Sequence, residues 1–256
     1  MTVVVLLSAR GAPGVTTLAC ALGAVWPRGR DVVIAECDPA GGDLAARFSL
    51  SPDVGMSTLA MALRHSDRET CLSLDRHVQR LPGGLEILCG PVGADAGHVL
   101  DTAVATLDWD SLGIDSIVDC GRLGAQLAGQ QGAIRSAHRV VLLARPDASS
   151  IAQCRWALSR LAALRPSQLG AISLLIAGPG VFDPVDIAET LGVELLGVIP
   201  HDPEAAAVLR GEPGANRAFA RSALVTSASA LAAALTEAPA DAPADFTANM
   251  PIGVAP

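Results

Sequence analysis

The segment from Ala9 to Thr17 has the composition and the position of a phosphate-binding loop. It reads Ala-Arg-Gly-Ala-Pro-Gly-Val-Thr-Thr and lies between an apolar run, Val3–Leu7, and a segment of helical composition, Thr17–Ala24. Such loops bind phosphate because successive backbone N–H groups and the positive end of the following helix point at one anion. Val15, however, occupies the position of the lysine that reaches the β- and γ-phosphates in the usual motif.

The loop residues that could contact a nucleotide are Gly11, Ala12, Pro13, Gly14, Val15, Thr16 and Thr17. Their backbone N–H groups would face the phosphates, and the glycines allow a close approach. The Thr16 hydroxyl has the position of a magnesium ligand. For the loop taken alone, the alternative is an ordinary strand-to-helix turn in which a threonine caps the helix.

Two aspartates follow other apolar runs and are candidates for metal and water chemistry. Asp38 comes after Val32–Ala35, and Asp119 comes after Ile114–Val118. The carboxyl ends of parallel strands share one edge of a sheet, and open α/β sheets bind ligands at that edge. Both side chains are therefore expected to help position magnesium and orient a water molecule. The alternative is structural: Asp38 opens a turn at Pro39, and Asp119 caps the next segment.

Apolar runs alternate with helical segments along the chain, which is the pattern of an α/β fold. Seven runs are predicted as strands: Val3–Leu7, Val32–Ala35, Leu85–Cys89, Ile114–Val118, Val140–Ala144, Ile172–Ala177 and Leu195–Ile199. Later helices are predicted over Asp95–Leu107, Ser149–Leu164, Pro184–Leu191, Pro203–Leu209 and about Asn216–Leu235. Because the runs are apolar at most of their positions, we predict a doubly wound, mainly parallel seven-stranded sheet with helices on both faces.

The composition predicts the extent of the folded domain, the ligands that it does not bind and its cellular compartment. Residues 1–236 are predicted to form a single domain, and the Ala/Pro-rich tail over 237–256 has too little apolar surface to fold alone. The formal net charge of -8 argues against a broad nucleic-acid surface, and all 18 basic residues are arginine. No run is long and apolar enough to cross a membrane, and the tail lacks the basic residues of a direct membrane anchor. We therefore expect a cytoplasmic protein.

The chain resembles the MinD/ParA family of P-loop ATPases, whose deviant Walker A loop reads Lys-Gly-Gly-x-Gly-Lys-Thr-Thr. The resemblance spans about residues 2–235. It includes the loop, Asp38-Pro39, Asp119 at a strand end, Arg145-Pro146-Asp147 and the segment Leu196-Gly197-Val198-Ile199-Pro200-His201-Asp202. Two further segments, Gly42-Asp43-Leu44 and Leu81-Pro82-Gly83-Gly84-Leu85-Glu86-Ile87-Leu88, resemble the TadZ/CpaE branch, which places pilus and secretion machinery.

The resemblance implies ATP and Mg²⁺ as ligands and assigns roles to matching residues. Arg10 stands at the signature lysine that reaches across a nucleotide-sandwich dimer. Asp38 matches the aspartate that helps to activate water, and Asp119 matches the one that holds the magnesium shell. Thr16 keeps the metal position, while Pro200 lies in the segment that lines the adenine.

Three departures from the family pattern bear on activity. Ala9 replaces the first glycine of the general Gly-x-x-x-x-Gly-Lys pattern, Val15 replaces the phosphate lysine, and Ala177-Gly178 stands where an adenine-reading asparagine often ends a strand. Losing a charged hydrogen bond costs about 1.5–3 kcal/mol, which is roughly 10- to 150-fold in affinity. The expected enzyme is at most a slow Mg²⁺-dependent ATPase.

The resemblance and the departures together predict a positional or assembly factor. It would be a nucleotide-dependent homodimer switch with weak or lost ATP hydrolysis, recruited to the membrane or the pole by a protein of a positioning, pilus or secretion system. The first alternative is a pseudo-ATPase scaffold that recruits a partner without nucleotide. The second is a ParA-like DNA partition protein, against which the acidic charge argues.

Overall fold

The structure is a computed structural model of the 256-residue chain. It describes residues 1–11, 13–65, 73–93, 95–104, 107–124, 127, 129–165, 172–212 and 218–237. Two predictions fall elsewhere: Ala12 and the tail from residue 238 onward lie outside the described residues.

Eight strands within these ranges form one sheet. They are β1 (Val3–Ser8), β2 (Val32–Glu36), β3 (Gln79–Arg80), β4 (Glu86–Leu88), β5 (Asp115–Arg122), β6 (Arg139–Ala144), β7 (Ile172–Ala177) and β8 (Glu194–Ile199). Their order across the sheet is β3-β4-β2-β5-β1-β6-β7-β8. All neighbours are parallel except β3 and β4, which are antiparallel. The seven predicted strands are all present, and β3 is an eighth whose two residues are too few to show a period.

The helices of the described chain cover both faces of this sheet. They are α1 (Val15–Ala24), α2 (Leu44–Arg47), α3 (Met56–His65), α4 (Ala96–Val104), α5 (Gln131–Ser136), α6 (Ala148–Leu164), α7 (Pro184–Leu191), α8 (Pro203–Leu209) and α9 (Ala223–Thr236). One apolar cluster joins the sheet to α3, α4, α5, α6 and α7. A second joins it to α1, α2, α8 and α9. The predicted doubly wound architecture is therefore confirmed.

Some helix boundaries differ from the prediction. The last helix begins at Ala223 rather than near Asn216, because the Ser222 hydroxyl caps it by accepting the Val225 N–H at 3.2 Å. The fourth helix is shorter than Asp95–Leu107 at both ends. Helices α2 and α5 lie outside the segments predicted as helices.

The sheet order places three strand ends beside one another. Strand β5 lies between β2 and β1, so Asp119 pairs with Glu36 on one side and with Leu6 on the other. The loop after β1 and the segment after β2 thus flank the carboxyl end of β5. Among the described helices, none is both long and apolar enough to cross a bilayer.

Candidate nucleotide site

The loop after β1 opens into a helix whose first N–H groups are not capped by a side chain. Gly14 precedes α1 in the left-handed conformation, with φ 97°, which favours glycine. No described side chain caps α1, whereas Asp147, Asp183, Asp202 and Ser222 each cap a later helix. The first N–H groups of α1 are therefore not occupied by a side-chain cap, and a helix start of this kind can bind an anion.

Val15 contributes only its backbone to this loop. Its side chain is 5% exposed and belongs to the apolar cluster that also contains Leu6 and Leu18. Position 15, which holds a lysine in the usual motif, is therefore part of the apolar core. The candidate residues at the loop surface are Gly11, which is exposed, and Pro13, Gly14, Thr16 and Thr17, which are half-buried.

Asp119 is a buried carboxylate beside the start of α1. It has 0% exposure, and its Oδ1 atom accepts the Gly121 N–H at 2.9 Å. Its Oδ2 atom has no hydrogen-bond partner among the described residues. Burial raises the pKa of Asp119 to about 7, although the nearby Thr16 hydroxyl and the Gly121 N–H oppose this rise. The structure thus brings together two residues predicted to hold magnesium.

Asp38 reaches the same strand end from β2. Its Oδ1 atom accepts the Ala40 N–H at 2.9 Å. A Cβ atom placed on Gly121, which has φ 56°, would collide with the Asp38 carboxylate. Burial raises the pKa of Asp38, and the negative charge of Asp43 adds to the rise. The carboxylates of Asp38 and Asp119 therefore meet around Gly121.

These residues suit a magnesium ion that is held largely by oxygen atoms outside the protein. Within the described ranges, no three His, Cys, Asp or Glu side chains form a group that could hold a metal. Magnesium usually keeps several waters and binds one or two carboxylates together with substrate phosphates. The unpartnered Oδ2 of Asp119 fits such a water shell, and the Thr16 hydroxyl fits a direct ligand.

Glu36 is a buried carboxylate that is not among the site residues predicted from the sequence. It is 2% exposed and accepts backbone N–H groups from Asp43 at 2.7 Å, Leu44 at 3.0 Å and Gly90 at 2.9 Å. Burial raises its pKa, and the three N–H donors oppose the rise. Glu36 therefore ties the segment after Asp38 to the end of β4. An acid that ends an otherwise apolar strand is the signal that could have identified it.

We expect Glu36→Gln to lower the free energy of unfolding by about 2 kcal/mol, because an amide NH₂ would face backbone N–H donors and leave one of them unpaired. Urea denaturation would measure the loss. Glu86→Gln is the matched control: Glu86 pairs at the surface with the exposed Arg80, and such pairs contribute about 0–1 kcal/mol. Equal losses in the two variants would contradict the role given to Glu36.

A cavity of about 420 Å³ adjoins the loop on the side of β6, β7 and β8. Pro200 lines it, together with Pro13, Gly14 and Thr17. At Ala177 and Gly178 the wall offers no side-chain amide. The polar side chains of the lining are those of Thr17, Arg145, His201, Asp202 and Arg210.

Asp202 and Arg10 are two further charged residues of this region. Both Asp202 oxygens are occupied, since they accept the N–H groups of Ala205 at 3.1 Å and Leu224 at 3.2 Å. Arg10 is exposed at the start of the loop. Its role across a dimer stays a prediction, since the structure contains one chain.

No protein-family model matches the sequence, and no curated protein matches it. Solved structures do match in fold. The ParA family ATPase of Chlorobium tepidum TLS has a TM-score of 0.69 at 15% identity, over 91% of this chain and 98% of that chain. MinD in the MinC:MinD cell division protein complex of Aquifex aeolicus has a TM-score of 0.68 at 19% identity, over 94% and 99%.

A third structure, the septum site-determining protein MinD of Pyrococcus horikoshii OT3 complexed with Mg-ADP, has a TM-score of 0.65 at 21% identity. That match covers 93% of this chain and 97% of the MinD chain. These identities are low, but the three matches extend over nearly the whole of each chain. The chain therefore has the fold of the MinD and ParA ATPases.

Proposed function

We propose that this protein is a MinD/ParA-like nucleotide switch that binds Mg-ATP, dimerises in response and hydrolyses ATP slowly or not at all. The observation that carries the proposal is the start of α1. Its N–H groups are not capped by any described side chain, and they lie beside the buried Asp119 carboxylate. Uncapped helix N–H groups suit a phosphate, and a buried carboxylate beside them suits the magnesium ion that accompanies it.

The proposed roles follow the positions of the residues. The backbone of the loop from Gly11 to Thr17 holds the phosphates, while Pro200 packs against the base. Thr16 and Asp119 would hold Mg²⁺, which would offset phosphate charge when bound. Asp38, whose carboxylate lies against Gly121, would orient the attacking water.

The remaining roles concern dimerisation, cellular location and the partner protein. Arg10 contacts the nucleotide of a second subunit, and residues 1–236 act as one domain. The Pyrococcus MinD was solved with Mg-ADP and the Aquifex MinD with a partner, MinC. By analogy, we propose a homodimer in the cytoplasm that a positioning, pilus or secretion protein of the TadZ/CpaE type recruits to the membrane or pole.

Burial of Val15 makes the switch weak. Without a lysine at this position, ATP affinity moves from micromolar toward millimolar, by the factor of roughly 10 to 150 derived above. Hydrolysis suffers more, because the lysine also stabilises charge that develops on the transferred phosphoryl group.

A titration with Mg-ATP tests the proposal. We expect millimolar Mg-ATP to raise the melting temperature and to increase the mass measured by light scattering. Asp38→Ala should keep both responses and lose turnover. A turnover rate unchanged in Asp38→Ala would refute the role of Asp38.

The buried Val15 also favours a second candidate, a pseudo-ATPase scaffold that dimerises and recruits its partner without nucleotide. Under this hypothesis, the dimer forms in the absence of ATP. Millimolar Mg-ATP would then change neither the melting temperature nor the mass, and this result would replace the first proposal with the second.

A further inference from the structure

The proposed phosphate site contains more negative charge than the loop alone suggests. Glu36 and Asp119 pair in register across β2 and β5, and the Asp38 carboxylate lies against Gly121, two residues after Asp119. A polyphosphate entering this site would be repelled unless a cation balanced the charge. Mg²⁺ would balance part of this charge, and Val15 adds no cation from the loop.

Arg122 lies where such a cation is needed. It is the last residue of β5 and pairs in register with Ser8, the last residue of β1. The Leu123 N–H donates to the Ser8 carbonyl at 2.8 Å, and the Ser8 hydroxyl donates to the Gly121 carbonyl at 3.3 Å. The backbone of Arg122 is therefore fixed beside the point at which the chain leaves β1 for the phosphate loop.

The Arg122 backbone is also held from its other side, while its side chain is available. The Gln130 amide donates to the Arg122 carbonyl at 2.9 Å. The side chain is exposed although Gly121 and Leu123 are buried, and it pairs with no acid in the described chain. Five other arginines do form such pairs: Arg30, Arg47, Arg80, Arg139 and Arg210.

We propose that Arg122 binds the terminal phosphates of the nucleotide in its own subunit, in place of the lysine absent from position 15. This inference rests on the proposed function. A guanidinium is always charged and matches the geometry of phosphate oxygens. Because β5 lies between β1 and β2, Arg122 approaches the phosphates from the side of Asp38. This role differs from that of Arg10, which is expected to act on the other subunit.

Isothermal titration of the full chain with Mg-ATP, Mg-ADP and AMP tests the assignment. We expect Arg122→Ala to weaken ATP binding about 10- to 100-fold, the loss of a charged hydrogen bond, and to leave AMP binding unchanged. Arg122→Lys should retain part of the ATP affinity. Arg155→Ala is the matched control, because Arg155 is an exposed arginine of α6 that lines a different groove.

A second variant separates a phosphate contact from a structural effect. In Arg122→Ala, an added Val15→Lys should recover ATP affinity, since it places a cation in the loop itself. An Arg122→Ala protein that binds ATP as the wild type does would overturn the assignment and leave the proposed function standing. Equal losses for ATP and AMP would overturn it as well, and a wild type that binds no ATP would overturn both proposals.

Discussion

Asp119→Asn is expected to stabilise the ligand-free protein above pH 7 and to abolish its stabilisation by Mg-ATP. An amide of the same size avoids the cost of ionising a carboxyl group that has 0% exposure and one unpartnered oxygen. It also removes the negative charge that a magnesium shell requires. A residue kept for structure alone would not show these opposite effects.

The sign of the pH dependence follows from the direction of the shift. The folded protein raises the pKa of Asp119 from 3.8 to about 7, so it binds this proton more tightly than the unfolded chain does. The free energy of unfolding therefore falls as the pH rises from about 4 to 7, and this contribution is constant above that range. A shift of this size corresponds to about 4 kcal/mol for the fully buried group.

Urea denaturation of the ligand-free protein between pH 5 and pH 8 would measure this effect. The wild type should lose stability over the interval, whereas Asp119→Asn should lose less and exceed the wild type by most at pH 8. Asp53→Asn, at an exposed aspartate, is the control and should follow the wild type. A less stable Asp119→Asn protein at pH 8 would show that the buried charge is compensated in the folded state.

The strong periodic segments of this fold could be predicted from the sequence, whereas the short elements could not. Runs such as Val140–Ala144 are apolar throughout, so their burial on both faces follows from composition. Pro184 and Pro203 each begin a helix, since proline is favoured in the first helical turn. Helix α5, with six residues, and the two-residue β3 are shorter than the window in which a period can be recognised.

The same limit applies to the candidate site. Aspartates after parallel strands had to reach one edge, and Asp38 and Asp119 do so. Spacing could not show that Val15 faces the core. Nor could it show that Arg122 is exposed between two buried neighbours, because Gly121 has φ 56° and interrupts the alternation of β5. Tertiary packing decides which side chains at this edge are buried and which are exposed, and the sequence pattern alone does not contain that information.

Val15→Lys is expected to tighten Mg-ATP binding roughly 10- to 150-fold, the value of a charged hydrogen bond to phosphate. The Val15 side chain is buried among apolar residues next to the loop. The aliphatic part of a lysine can occupy much of that space while its ammonium group extends to the phosphates, as long basic side chains commonly do. Without nucleotide, the variant should lose about 1–2 kcal/mol of stability, since part of the buried apolar contact is exchanged for a charge.

Val15→Met distinguishes charge from volume in this experiment. Methionine is longer than valine and fills irregular apolar space, but it carries no charge. Titration calorimetry should therefore show increased ATP affinity for Val15→Lys alone, and turnover should rise with it because the lysine also stabilises the transferred phosphoryl group. Equal affinities of the lysine and methionine variants would mean that the loop backbone cannot present a phosphate to position 15. The loss of the lysine would then reflect a changed loop rather than a single missing contact.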